Sequence, residues 1–527
     1  MRVQSTSVFA LLASLSISGS ALAQAARPVQ PVPLPNAPAT APPSAPATPG
    51  LVQAGQASAQ GGTELALREA PRGTNPVLAA FTPKPGGLTA NEVATRAAAT
   101  SDTIAAKNAE LRASAAAVDS AMYQFYPRVA LKASYTRMSP VSASLGSGTY
   151  FAVKQSPGPL TVTNGTVDNA TAIPLAFPIP NNYYSLGASL SVPLSDYVLR
   201  LSDSIEATKQ NQEASELNLK AERQKVEADA RVAFFNWALS IGQVAVTEKS
   251  LERVKARLKD AQTSFTLGAA TKADVLRLQA LVAATESGLV ASQAFKQLAE
   301  EQLSVVMDVP AQEYALGEDV LAERSPVPLL PIQTLVQQAN ASRYELKALD
   351  RTADSMRKAE SVIRKGQLPR IDGFADYSYA NPNQRYLFNY AWKQSWDVGV
   401  SATWNINEIF TNNSSGNEMV AKRETVEANR KALAKGIRIE VTSAYTDARK
   451  SVAALESAKR GAEAAQAAYD TEVELFKVGK ATTTELIDSE SELVNALLTL
   501  ISAHVNIRIA ETKLAKAVGQ DMHTLKN

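Results

Sequence analysis

Residues 476–490 read FKVGKATTTELIDSE, and residues 265–279 read FTLGAATKADVLRLQ, nearly the same phrase 211 positions earlier. In each, a glycine (Gly268, Gly479) stands where a helix would end, because glycine takes the left-handed backbone of a helix stop without strain. Three residues on, Thr271 precedes Asp274 and Thr482 precedes Glu485 by three positions, the capping spacing that starts a new helix. Each phrase predicts a tight turn between two helices. Turn chemistry alone accounts for these glycines and threonines.

The repetition reaches far beyond the turns. Leu88 set on Leu330 brings Pro127 and Arg128 onto Pro369 and Arg370, and Tyr135 onto Tyr377, all at an offset of 242. Gly187 matches Gly399 at 212, and Phe265 matches Phe476 at 211. The offset falls because the first copy carries an extra loop, roughly 140–180. A repeat this long means two related units, not the short period of a solenoid. The units span 88–308 and 330–519, joined by a linker at 309–329 and followed by a tail at 520–527.

Within each copy the pattern predicts helix, strand, strand, long helix, turn, helix. The clearest strand is SWDVGVSATWNI (395–406), where Trp396, Val398, Val400, Ala402, Trp404 and Ile406 alternate with polar or small residues. Its counterpart alternates Tyr184, Leu186, Ala188, Leu190, Val192 and Leu194 with Ser185, Gly187, Ser189 and Ser191. The preceding strands are expected at 129–135 and 371–379. A soluble antiparallel sheet with one wet face alternates in the same way. Trp396 and Trp404, however, stand eight residues apart on the apolar face, about 26 Å along a strand. At a tilt of about 40° that spans ~20 Å, near the apolar band and aromatic girdles of a membrane barrel. Four strands do not close a barrel, and open edges are prohibitive in lipid, so several chains must contribute strands.

Residues 195–265 and 407–476 contain no proline, and each would run ~105 Å as one helix. Shorter helices, 89–126 and 271–307 in the first copy, match the long one when laid end to end. Leu251, Val254, Leu258, Ala261 and Phe265 recur at coiled-coil spacing, as do Ala462, Ala465, Tyr469, Glu472 and Phe476, with Glu472 interrupting the second seam. The fold class is mainly α with a small β part. Ordinary core packing of a helical hairpin would also give these seams.

The chain opens with Arg2, an apolar run over 8–17, and the small-residue pattern Ala21, Ala23, a secretory signal expected at 1–23. No later stretch reads as a membrane-crossing helix. Residues 24–87 are rich in proline and alanine and predict a disordered arm, with order beginning at the Thr89 and Glu92 capping pair. The 53 basic and 51 acidic residues leave no basic footprint for nucleic acid. With no cysteine and two histidines, His504 and His523, disulfides, thiolate metal sites and histidine clusters are excluded, and no metal or cofactor is expected. His504 falls in a helical pattern and reads as a packing residue. No phosphate loop or nucleophile–base pair suggests an enzyme.

The signal, LTANEVATRAAATSDTI, YPRVALKASY, the duplicated strand–strand–long helix unit and the twice-written F-x-x-G-x-x-T-x-x-[DE] motif resemble the TolC family of outer membrane factors. The resemblance covers about 88–519. It implies a homotrimer whose twelve strands form one barrel in outer membrane lipid of a Gram-negative bacterium, with a hollow periplasmic helical tunnel closed at its tip. It implies an exit duct for a tripartite efflux pump or type I secretion system, with a periplasmic adaptor and an inner-membrane transporter as partners. Residues carried over are the adaptor-docking tips (Phe265, Gly268, Thr271, Phe476, Gly479, Thr482) and a lumen ring of acids (Glu485, Asp488 and, in the first copy, Asp274). Trp396, Trp404 and Tyr184 are the expected aromatic girdle. Arg277 stands at the first copy's second acidic position. Phe476 replaces a tyrosine, and Ala481 an arginine, that in the family latch the closed tip. A periplasmic coiled-coil adaptor is the alternative reading, sharing the hairpins and the signal but needing no strands.

Overall fold

A computed structural model describes residues 80–520, apart from 140–149, 155–156, 160, 164–165, 169, 175–179, 269, 311, 323–329 and 387–389. The expected signal, the arm up to residue 79, and the tail from 521 with His523 lie outside the described residues.

Ordered packing starts earlier than the sequence suggests. Phe81, assigned above to the arm, is 2% exposed and packs in the main core, where its ring leaves no room for a side chain at Gly242. Lys84 N–H and Leu88 N–H donate to the carbonyls of Leu316 and Ala315, tying the 80–88 segment to the linker between the two copies. Residues 80–88 are thus part of the packed structure, where an arm was expected up to 87.

Helix α1 (Ala90–Thr100) opens on the expected capping box of Thr89 and Glu92. The single helix expected over 89–126 is broken. Ser101 leaves the helical region at ψ 123°, and its hydroxyl accepts from Ile104 N–H to start α2 (Asp102–Tyr123). The second copy breaks at the equivalent Arg343, between α6 (Ile332–Ser342) and α7 (Tyr344–Lys365). The break points serve packing: Val93, Ala97 and Ile104 are buried, as are their equivalents Leu335, Ala339 and Leu346. Arg343 is itself buried and donates to the carbonyls of Lys516 and Ala517 at 3.1 and 3.3 Å. It thereby caps the end of a distant helix, with the sign the helix dipole favours.

The first long helix is also interrupted, at Arg200, between α3 (Leu194–Leu199) and α4 (Leu201–Thr266). Helix α8 (Ile406–Lys477) runs unbroken for 72 residues, ~108 Å. Helices α5 (Lys272–Met307) and α9 (Thr483–Val518) pair with α4 and α8 as two hairpins, and α9 also packs along α4. At the other end α2 and α7 pack on α4, and α7 on α8. The half-length helices thus brace the long ones in series, as expected. Where α4 meets α1, α5 and α9 lies the main core: Phe234, Phe235 and Trp237 pack with Val93, Leu303, Met307 and Leu316.

By length and composition α9 does pass for a membrane span, against the expectation that none exists. Its Leu486, Leu493, Leu497, Ile501 and Val505 are buried in the main core, so its apolar content serves the bundle.

Strands β1 (Arg128–Arg137), β6 (Asn182–Val192), β7 (Arg370–Asn381) and β8 (Lys393–Thr403) form one antiparallel sheet in the order β1-β6-β7-β8. Between β1 and β6, the extra loop of the first copy holds two short hairpins, β2 (Tyr150–Lys154) with β5 (Ala170–Pro174), and β3 (Thr161–Thr163) with β4 (Thr166–Asp168). The sequence gives no sign of these because each strand is three to five residues long. The main strands are ten to twelve residues, close to the 9–11 that a tilted membrane strand needs.

Candidate functional site

Two regions carry the candidate function: the sheet and the hairpin tips. The register sorts the sheet into two faces. Leu131, Ala188, Tyr377 and Trp396 align across the four strands on one face, and Val129, Leu190, Ala375 and Val398 align beside them. This apolar face is open: Leu131 is 83%, Val129 70% and Trp396 69% exposed. A face this apolar is not left to water in a stable fold. The opposite face carries Lys132, Ser189, Asp376 and Asp397, and Phe374 lies across Gly399.

The aromatic residues form two levels at the ends of the strands. At the loop end, the Tyr135 and Tyr184 rings lie 4.9 Å apart, and Trp392 lies 6.1 Å from Tyr184 and 5.0 Å from Tyr379. At the helix end, Trp404 donates its indole N–H to Gln367 O at 3.1 Å, beyond the last residue of β8. Trp396, read above as a girdle residue, stands between these levels, four residues below Trp392. Trp392 lies in the loop, directly before the first residue of β8.

The tips form as the repeated phrase predicts. Gly268 and Gly479 have φ of 76° and 74°. Lys480 N–H donates to Leu475 O and Gly479 N–H to Phe476 O, a Schellman stop that satisfies the last carbonyls of α8. Thr271 and Thr482 then cap α5 and α9 through complete boxes with Asp274 and Glu485. Phe476 packs partly against the core, while Phe265 is exposed.

The three expected acids do different work. Glu485 accepts from Thr482 N–H at 2.7 Å and from its hydroxyl at 2.9 Å, which holds the carboxyl below its ordinary range. Asp274 is held low by the Thr271 hydroxyl first, then by the Thr483 hydroxyl of the other hairpin. Asp488 is exposed one turn after Glu485 on the same side of α9.

A buried tie next to these acids escaped sequence reasoning. Glu490 is 5% exposed and accepts from Arg253 Nε at 3.1 Å, Arg253 Nη2 at 2.9 Å and Ser250 Oγ at 2.8 Å. The Arg253 guanidinium also lies 5.7 Å from the centre of the buried Tyr469 ring. One ion pair therefore links α4 of the first copy to α9 and α8 of the second. A signal existed: Leu486, Glu490, Leu493 and Leu497 keep heptad spacing, with a carboxylate in an apolar slot. The expected second seam also shifts by one residue. Val473 is buried and Glu472 is not, so the seam runs Ala462, Tyr469, Val473 and is apolar where an interruption was expected.

Long helices in two copies, a four-stranded sheet with one apolar face, and capped hairpin tips define a membrane channel subunit. The description "Outer membrane efflux protein" matches residues 93–307 and 335–520, and the chain belongs to that family. The outer membrane protein TolC of Escherichia coli (strain K12) is 23% identical over 367 residues, covering 66% of this chain and 73% of that protein. The solved structure of the outer-membrane channel OprN superposes with a TM-score of 0.65 at 18% identity, over 87% of this chain and 99% of its own. That of the Campylobacter jejuni CmeC outer membrane channel gives 0.64 at 14% identity, over 87% and 94%. The protein is an outer membrane efflux channel with its helices on the periplasmic side. The adaptor alternative falls with this finding, since the four strands belong to the family's fold.

Proposed function

We propose that three copies of this chain close their sheets into one twelve-stranded barrel and their helices into one tunnel. The tunnel serves as the exit duct of a tripartite efflux pump or type I secretion system. The observation that carries this reading is the sheet itself: β1 and β8 are edge strands beside an exposed apolar face. In lipid every backbone N–H and C=O must be paired, so β8 of one copy takes β1 of the next. Their directions suit this, because an even number of alternating strands makes that junction antiparallel. Trp392, Tyr184, Tyr135 and Tyr379 then form the outer girdle, Trp404 the inner one, and Trp396 faces lipid between them.

Within the tunnel Glu485 and Asp488 of three copies form a negative ring near the tip, with Asp274 in the adjacent hairpin. Such a ring attracts cations and repels anions in a narrow opening. The exposed tips around Gly268 and Gly479 dock a periplasmic adaptor, which joins the duct to an inner-membrane transporter. Phe476 and Ala481 leave the tip without two polar latches, and the Arg253–Glu490 tie supplies an interhelical restraint in their place.

A photo-crosslinker at Ala130 in β1 tests the barrel, and crosslinkers at Leu267 and Lys480 test the tips. The first should trap β8 of a second copy, and the others a periplasmic adaptor from cells with an assembled pump. Crosslinks from Ala130 only to other proteins would defeat the barrel reading.

A further inference from the structure

The polar face of the sheet carries a cost that the loop above it offsets. Asp376 and Asp397 are directly opposite each other in the β7–β8 register, and like charges so placed on neighbouring strands repel. The balancing charge comes from Arg385, in the loop between these strands. Its guanidinium pairs with Asp397 and donates from Nη1 to Trp396 O at 3.1 Å.

Asn383 fixes this posture. It is 4% exposed, and its Nδ2 donates to Lys393 O and to Ser395 Oγ, each at 3.0 Å. Its Oδ1 accepts from the Arg385 N–H at 3.0 Å. Tyr386 donates its hydroxyl to Gln394 O at 3.2 Å, and the Lys393 ammonium lies 6.0 Å from the Tyr386 ring. Lys393, Ser395 and Asp397 share the polar side of β8. The segment 383–386 therefore does not stand up from the sheet but folds back over its polar face.

We infer that this folded loop forms a second constriction at the outer mouth of the duct, with Arg385 as its specificity-determining residue. The inference rests on the barrel reading, which turns the polar face inward. Each protomer then places two carboxylates and one guanidinium at the same level, with Lys132 and Lys393 on neighbouring rows of the same face. Loss of Arg385 frees Asp397 and removes one positive charge per protomer from the ring beside Ser395. The belt is separate from the acids of the periplasmic tip and meets permeants at the opposite end.

The absence of cysteine makes the test direct. Ser395→Cys gives the full-length protein one thiol under the loop, and Gln384→Cys gives one on its exposed crest. Intact cells are treated from outside with a cationic or an anionic membrane-impermeant methanethiosulfonate, after heat-resistant oligomer in the outer membrane is verified for each variant. Ser395→Cys should react slowly and Gln384→Cys fast. Adding Arg385→Ala should speed the cationic reagent at Ser395→Cys about tenfold, and the anionic one by much less. Arg385→Lys should preserve the parent's ratio of the two rates. If Gln384→Cys reacts but Arg385→Ala leaves Ser395→Cys unchanged with both reagents, the loop does not guard the mouth and the inference fails. If Gln384→Cys reacts only in lysed cells, this end does not face outward, and the barrel orientation fails with it.

Discussion

Breaking the tie between Arg253 and Glu490 gives the sharpest energetic consequence of the tip geometry. Removing one partner of a well-buried ion pair costs about 3–5 kcal/mol, because the remaining charge is stranded. Arg253 keeps 26% of its side chain exposed and Glu490 only 6%. Solvent therefore relieves a stranded arginine better than a stranded glutamate, and about 2–3 kcal/mol is expected for Glu490→Ala. At ~1.36 kcal/mol per decade this is about a 30- to 160-fold rise in local opening. The assay is amide hydrogen exchange of α9 around Leu486 to Leu497 in the detergent-solubilised protein. Arg253→Met with Glu490→Leu should return most of the lost protection, since apolar residues of similar volume replace a buried pair at little net cost. The singles should also raise mean single-channel conductance, because the two hairpins separate more easily. Single variants that exchange within twofold of the parent would refute the tie. So would a double variant as unprotected as the worse single.

Gly479→Ala should destabilise the tip locally by about 1 kcal/mol through its positive φ alone, since no atom lies near the added methyl group; exchange at α8's last turn reports it. Asp203 is pulled down to about 2 by Lys365 first, then by Ser361 and Lys358. That stabilisation is present above the unfolded value near 3.8 and fades as pH falls through about 2. Asp203→Asn should lose about 1 kcal/mol at neutral pH, after allowance for solvent screening, and flatten acid unfolding between pH 4 and 2; a urea titration at several pH values measures this. Glu485→Gln with Asp488→Asn should weaken cation preference in bilayer recordings, and unchanged reversal potentials would move the selective ring elsewhere.

Much of this design is readable from local chemistry. Gly479 followed by Thr482 and Glu485 writes a helix stop and a helix start within seven residues, and no distant partner is needed to form either. The strict alternation from Trp396 to Ala402 likewise names a face without naming what covers it. What the sequence hid depends on neighbours. Ser101 is a capping residue, but the apolar spacing across it reads as one helix until the packing of Val93 and Ile104 shows why the axis must break. Helical period alone leaves one residue of freedom, so Glu472 and Val473 compete for the seam, and only contact with the adjacent hairpin decides for Val473. Arg253 and Glu490 lie 237 positions apart, each in a run of ordinary helix charges. Phe81 is a lone aromatic at the edge of a proline-rich arm, and its partner Gly242 is a small gap in a distant helix.

In the proposed trimer one chain supplies a third of a closed barrel. Native mass measurement of the full-length protein, extracted from outer membranes in mild detergent, tests it most directly. The expected mass is that of three protomers and persists on dilution, because each four-stranded sheet has two edges only another copy satisfies. A stable monomer, or a dimer that holds together without a third copy, would contradict it.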